Sequence, residues 1–372
     1  MRIVVAPDSF KGSLTARAAA EALRDGWSSV RPGDEFVLAP MADGGEGTLD
    51  AFATAVPGAR REPVMAVGPD DQPVFAHWLL LPPRPGLPGG TGVVELAATS
   101  GLPLVRDGLR PFDAHTFGLG QAIAAAVGLG VSRLLVAVGG SASTDGGVGA
   151  LAAMGARLTD AGGTPVAYGN LGAGRVVRVS FDAAVPVPPA GAVVLTDVDN
   201  PLLGPRGAAA VFGPQKGASS EAAVCSLEAN LEHFAGAVPG GAALAETPGA
   251  GAAGGVAFGL LAWGATLSPG APAVAEAIGL AGTIAGAGLV ITGEGRYDGQ
   301  SAAGKAPTHV AELAEAAGVP VALAAGAIDA PVEAFAAAAS LTELAGSTAA
   351  ALAEPERWAR EAGARLAAVV AR

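Results

Sequence analysis

The chain has 372 residues and a formal net charge of −12, with 51% hydrophobic and only 15% charged residues. That length suits two domains, and the apolar content fills a large core. The negative balance repels polyanions and argues against nucleic acid or an anionic membrane as partner. One cysteine, Cys225, excludes an internal disulfide and any multi-thiolate metal site, which suits a reducing cytoplasm.

The elements read in chain order as follows. "RIVVAP" is a short buried strand, too brief an apolar run for a signal peptide. A helix follows through "SLTARAAAEALRDGW", then the strand "EFVLAP" and the helix "EGTLDAFATA". This βαβα start marks a wound parallel sheet. From about residue 61 the pattern changes. "EPVMAVG", "PVFAHWLLL" and "TGVVELAA" are strands without intervening helices, and "PPRPGLPGG" (82–90) is irregular. Alternation resumes with "GLGQAIAAAVGLG" and "RLLVAVGG". "RVVRVSF" and "AVVLTDV" are strands, and "SSEAAVCSLEANLEHFAGAV" is a helix. "GAAGGVAFGLLAWGATL" (251–267) reads as a buried helix, too short to span a bilayer. "AGLVITG", "GKAPTHVAELAEAAG", "VPVALAAG" and "EPERWAREAGARLAAVVA" close the chain as β, α, β, α.

The expected fold is therefore α/β with two different domains. A Rossmann/flavodoxin-like parallel-sheet domain is built from both chain ends, 1–60 plus 285–372. A mixed-sheet α/β domain, 61–284, is inserted into it, with an active site expected in the cleft between them.

Ligands of open parallel sheets bind beyond the carboxyl ends of the strands. Five strand ends carry glycines, small hydroxyls and carboxylates in this charge-poor chain. "DSFKGS" brings Asp8 and Lys11, and "MADGGEGT" brings Asp43 and Glu46. "VGGSASTDGG" brings Asp145, "TDVDNPLLG" brings Asp197, Asp199 and Asn200, and "TGEGRYDGQSAAGK" brings Glu294, Arg296, Asp298 and Lys305. Singly, each is ordinary turn chemistry. Together, glycine N–H groups suit phosphate, carboxylates suit Mg²⁺, and Lys11, Lys216, Lys305 and Arg296 suit phosphate charge. Two literal motifs fail. "GAGAAG" (249–254) follows no strand, so a nicotinamide oxidoreductase has little support; "GQSAAGKA" (299–306) has Ala306 where a P-loop needs a hydroxyl. His77 and His233 read as structural or solvated, while His115 and His309 lie nearer the loops. The absence of G-x-S-x-G weakens a hydrolase reading.

The stretches "APDSFKGSLTA", "MADGGEGT", "VGGSASTDGG", "LTDVDNPLLGPRGAA", "FGPQKGA" and "TGEGRYDGQSAAGKAP" resemble, in order, the serial motifs of the type I glycerate kinase family, across residues 3 to about 310. The resemblance implies ATP-dependent, Mg²⁺-assisted phosphorylation of D-glycerate, at its 2-hydroxyl, in the cytoplasm. It implies catalytic roles for Asp197 (the base, with Asp8 and Asp145 as rivals), Lys11 and Arg296. Substrate and phosphate would meet Ser9, Asp43, Gly44, Gly45, Glu46, Gly139, Gly140, Ser141, Asn200, Lys216, Ser301 and Lys305. Metal would meet Asp145, Glu294 and Asp298. Ser143 and Thr144 depart from the family's usual S-A-T-N-D-G-G, and Asp199 is discounted as a fixed position. A kinase for another small hydroxy acid and a catalytically silent ligand-binding protein on the same fold are the alternatives. An Ala/Gly-rich surface leaves room for a homodimer.

Overall fold

The computed structural model describes residues 1–10, 12–299 and 305–370. Its strands are β1 (Arg2–Pro7), β2 (Glu35–Leu38), β3 (Arg60–Val67), β4 (Pro73–Leu81), β5 (Thr91–Glu95), β6 (Arg133–Ala137), β7 (Arg157–Thr159), β8 (Arg178–Ser180), β9 (Ala192–Leu195), β10 (Thr266–Ser268), β11 (Leu289–Tyr297), β12 (Val321–Ile328) and β13 (Ala337–Ser340). The chain divides into two compact units. One comprises residues 1–43, 50–57 and 270–372; the other comprises 44–49 and 58–269. Residues 270–284, expected in the insert, thus join the unit made from the chain ends.

The first unit holds a five-stranded, all-parallel sheet in the order β13-β12-β11-β1-β2. Without the insert this is the flavodoxin-like order 2-1-3-4-5, with its topological switch between β1 and β11. Helices cover the sheet, so β1 reads as an unbroken apolar run rather than an alternating one. Ile3, Val5, Leu289, Ile291 and Leu323 are buried in it, and helices Ala16–Val30 and Pro355–Val370 pack on it through Leu23, Trp27, Ala362 and Leu366.

The second unit holds a six-stranded mixed sheet, order β10-β9-β6-β5-β4-β3, and the small β7-β8 hairpin. β3, β4 and β5 are antiparallel neighbours; β5, β6, β9 and β10 run parallel. Because those four strands share one direction, their carboxyl ends open on one edge of the sheet. One core, from Trp78 and Leu134 to Phe234 and Phe258, lies between this sheet and its helices.

Two elements differ from expectation. β11 does not stop at Gly293, the end of "AGLVITG", but continues to Tyr297, pairing Glu294 with Ala325 and Arg296 with Ala327. Glu294 and Arg296 are therefore strand residues, held by a ladder that outweighs weak strand propensity. The helix expected over 251–267 runs Ala252–Trp263, and Ala253, Gly254 and Gly255 inside its first turn have left-handed φ values of 57, 72 and 87°. The last two residues of that stretch, Thr266 and Leu267, begin β10.

Candidate active site

The second unit brings three strand-end loops into backbone contact. Gly44 has φ +88°, and a Cβ there would lie 2.7 Å from the carbonyl oxygen of Leu195, the last residue of β9. After β6, the Gly139 N–H donates to the Gly44 carbonyl at 3.1 Å. A Cβ on Gly139 would lie 2.5 Å from Gly45 Cα. Gly44 thus lies against Leu195 and Gly139 against Gly45, which locks segment 44–49 to the loops after β6 and β9. Gly140 stays exposed and Gly139 half-buried. Glu95, ending β5, fixes the same cluster: its Oε1 and Oε2 accept from the Gly47 and Leu49 N–H groups at 3.2 and 3.0 Å. Those N–H groups are at the start of helix Thr48–Ala55, where a carboxylate is electrostatically favoured. Sequence reading missed Glu95; its signal is a lone carboxylate ending the apolar run "TGVVE".

Asp145 is fully buried. Its Oδ2 accepts from the Thr116 hydroxyl at 2.7 Å, the Thr116 N–H at 3.0 Å and the Gly149 N–H at 3.2 Å, and its Oδ1 accepts from the Gly147 N–H at 3.1 Å. With four donors and no exposed surface, this carboxylate shapes the loop, and the metal role expected of it does not fit. Asn170 supports the same loop from below, donating to the Thr144 carbonyl at 2.8 Å.

Lys216 ends the short helical turn Pro214–Lys216 and is 2% exposed. Its Nζ donates to the Ser143 carbonyl at 2.5 Å and lies 2.7 Å from Ser141 Oγ. Burial pushes the ammonium down to about 7, against the opposing pull of Asp145. Beyond β9, Asp197 is exposed and Asn200 half-buried, its side-chain amide donating to the Arg206 carbonyl at 2.7 Å. Asp199 is paired with Arg206 at the surface.

In the first unit, Asp8 and Glu294 stand at the switch point. Pro7 pairs with Gly293, and the Asp8 N–H donates to the Gly293 carbonyl at 2.8 Å, so the two carboxylate residues are next along adjacent strands. Both are largely buried. The Ser9 N–H closes on Asp8 Oδ1 at 2.6 Å. Arg296 is exposed and paired with Asp329 at 2.7 Å. Asp298 follows β11, and Lys305 sits at the N-terminus of helix Ala306–Ala316. Asp43 is half-buried and Glu46 exposed. Lys11 and Ser301 lie outside the described residues.

Among the described residues no group of three or more His, Cys, Asp or Glu is arranged to hold a metal ion. No described helix is long and apolar enough to cross a membrane. His115 is buried against Asp71 at 3.1 Å, lining a cavity of about 770 Å³ that contains none of the expected site residues. His77 bonds Arg61, His309 lies 3.4 Å from Glu312, and His233 is exposed on helix Glu221–Ala237.

A flavodoxin-like parallel sheet and a second mixed sheet, with glycine-rich, carboxylate-bearing loops at their strand ends, define a two-unit α/β protein. A model of the glycerate kinase family matches residues 3–371. The chain is 42% identical over 333 residues to the glycerate kinase of Bacillus subtilis (strain 168), covering 88% of this chain and 85% of that one. It is 40% identical over 322 residues to the glycerate 2-kinase of Escherichia coli (strain K12), covering 85% and 82%. A crystal structure from Salmonella typhimurium LT2, described as glycerate kinase 2, superposes with a TM-score of 0.85 at 34% identity, covering 100% of this chain and 98% of that one. The chain belongs to the glycerate kinase family.

Proposed function

We propose that this kinase transfers the γ-phosphoryl group of ATP to the 2-hydroxyl of D-glycerate, giving 2-phosphoglycerate, with Mg²⁺. The observation that carries this reading is the locked cluster of strand-end loops, 44–49, 139–147 and 195–200, in a chain whose family is that of glycerate kinases. Phosphoryl transfer asks the protein mainly for positioning and electrostatics. Backbone around the exposed Gly140 suits an anionic oxygen of the substrate. Lys305, heading helix Ala306–Ala316, adds a cation to the positive end of a helix and suits phosphate.

Asp8 and Glu294, with Asp298 beyond them, supply oxygen donors of the kind Mg²⁺ prefers; it takes one or two carboxylates and keeps phosphate oxygens and waters. When bound, the ion neutralises charge on the phosphates. Asp197 and Asn200, on the loop after β9, would orient the acceptor acid, and Arg296 and Lys11 would counter developing charge.

The test is ADP release from Mg·ATP with and without D-glycerate, with the product read by phosphorus NMR. A single 2-phosphoglycerate signal, reduced in Asp197→Ala, is the expected result. Release with a different small hydroxy acid but not with D-glycerate replaces the acceptor. ATP binding without turnover turns the reading to a silent binding protein.

A further inference from the structure

The chain has three lysines, Lys11, Lys216 and Lys305, and Lys216 is among its largest fully buried side chains. A buried ammonium normally has a carboxylate in contact. Lys216 has none among the described residues. Asp145 is the charge that acts on it, and both Asp145 oxygens already accept hydrogen bonds from Thr116, Gly147 and Gly149. The described partners of Nζ are neutral: Ser143 carbonyl oxygen and Ser141 Oγ. The kinked start of helix Ala252–Trp263 closes the remaining side, for a Cβ on Gly254 would lie 2.9 Å from Nζ. These surroundings favour the amine over the ammonium. An amine has one lone pair, and the Ser141 hydroxyl is the described O–H within reach of it. Ser141 in turn follows the half-buried Gly139 and the exposed Gly140. Ser141 itself is 7% exposed, so its hydroxyl links the solvent-facing Gly140 beside it to a dry base.

We propose that Ser141 and Lys216 form the proton relay of phosphoryl transfer. Ser141 Oγ takes the proton of the attacking acceptor hydroxyl and passes its own proton to Lys216 Nζ. The acceptor oxygen–phosphorus bond forms, the bond from phosphorus to the leaving ADP oxygen breaks, and the proton rests on Nζ until product leaves and water removes it. This rests on the glycerate kinase reading. It also departs from the simpler role of Lys216 as a phosphate-binding cation, which would turn its charge toward the ligand rather than behind a hydroxyl. Ser141 is the residue that touches substrate; Lys216 acts through it.

Two measurements test the relay. In protein labelled with ¹³C at lysine Cε, three signals are expected, and the one missing in Lys216→Met titrates near neutrality. In the pH profile of glycerate-dependent turnover, wild-type kcat falls tenfold per unit on the acid side of that titration. Ser141→Ala and Lys216→Met each lower kcat by about 10²–10³-fold, with KM values for ATP and D-glycerate nearly unchanged and the acid limb gone. Lys216→Arg, charged throughout, is equally impaired. Turnover retained in Lys216→Arg, a raised KM instead of a lowered kcat in Lys216→Met, a flat wild-type profile, or a lysine signal titrating near 10 overturns the relay. Should Lys216→Met fail to fold, Ser141→Ala with its pH profile decides alone. Absence of any glycerate-dependent ADP from folded wild-type protein defeats the kinase reading itself, an outcome distinct from turnover without the acid limb.

Discussion

Thr116 gives both its backbone N–H and its hydroxyl proton to the same oxygen of Asp145, and its hydroxyl oxygen then accepts the Ala150 N–H at 3.0 Å. One threonine therefore ties helix Phe117–Gly128 to the loop that carries Gly139 and Ser141 and to helix Val148–Ala153. Thr116→Val leaves a buried carboxylate short of one donor and the Ala150 N–H short of its acceptor. The expected cost is about 1–3 kcal/mol, measured by urea unfolding. Asp145→Asn turns an amide into a ring of donors and lowers kcat as well as stability, yet the Mg²⁺ concentration for half-maximal activity stays put. Glu294→Gln raises that Mg²⁺ concentration. A shift of Mg²⁺ dependence in Asp145→Asn comparable to that in Glu294→Gln would return Asp145 to the metal.

Gly139→Ala forces a methyl into the space of Gly45 Cα, where both partners are backbone and neither can swing aside. The expected loss is about 1–3 kcal/mol, with kcat reduced because the loops after β2 and β6 no longer interlock. Gly33→Ala is the control: a Cβ there meets nothing within 4 Å, its φ is not left-handed, and stability and activity hold. Equal thermal midpoints for wild type and Gly139→Ala would show that the loops yield.

Much of this was legible in the sequence because it is written locally. Apolar runs such as "RIVVAP" and "RLLVA" declare buried strands, and the glycines and carboxylates that follow mark where those strands end. What was not legible depends on partners far away in the chain. β11 continues through Gly293, Glu294 and Gly295 because β12 pairs with it. β13 reads "AAAS", helix-like in propensity, and is a strand through its pairing with β12. Asp145 reads as a ligand until Thr116, 29 residues earlier, occupies it. The burial of Lys216 cannot be seen in "FGPQKGA", whose turn residues suggest exposure; it follows from contacts with Ser141 and Gly254.

Glu95→Ala removes the acceptor for two N–H groups at the start of helix Thr48–Ala55. Capping losses of this kind cost about 0.5–2 kcal/mol. Because the same turn carries Gly44, Gly45 and Glu46, the KM for substrate should rise while the fold persists. Glu95→Gln retains one oxygen acceptor and should recover part of the affinity. Steady-state kinetics of the two variants check this, and an unchanged KM in Glu95→Ala would separate the cap from the site.

Lys216 also makes stability depend on pH in a direction that can be worked out. Its folded value of about 7 lies below the ordinary lysine value. Between about 7 and 10 the unfolded chain therefore holds a proton that the folded chain lacks. The unfolded state binding more protons means stability rises with pH across that window, by at most about 1.4 kcal/mol per unit. Below about 7 both states are protonated and the penalty for a buried charge is present in full. Lys216→Met abolishes that contribution, so its urea midpoint should exceed wild type near pH 6, with the gap closing toward pH 9. Urea titrations of both proteins at pH 6, 7.5 and 9 measure it. A constant difference across the three would mean that Lys216 keeps its charge in the folded protein.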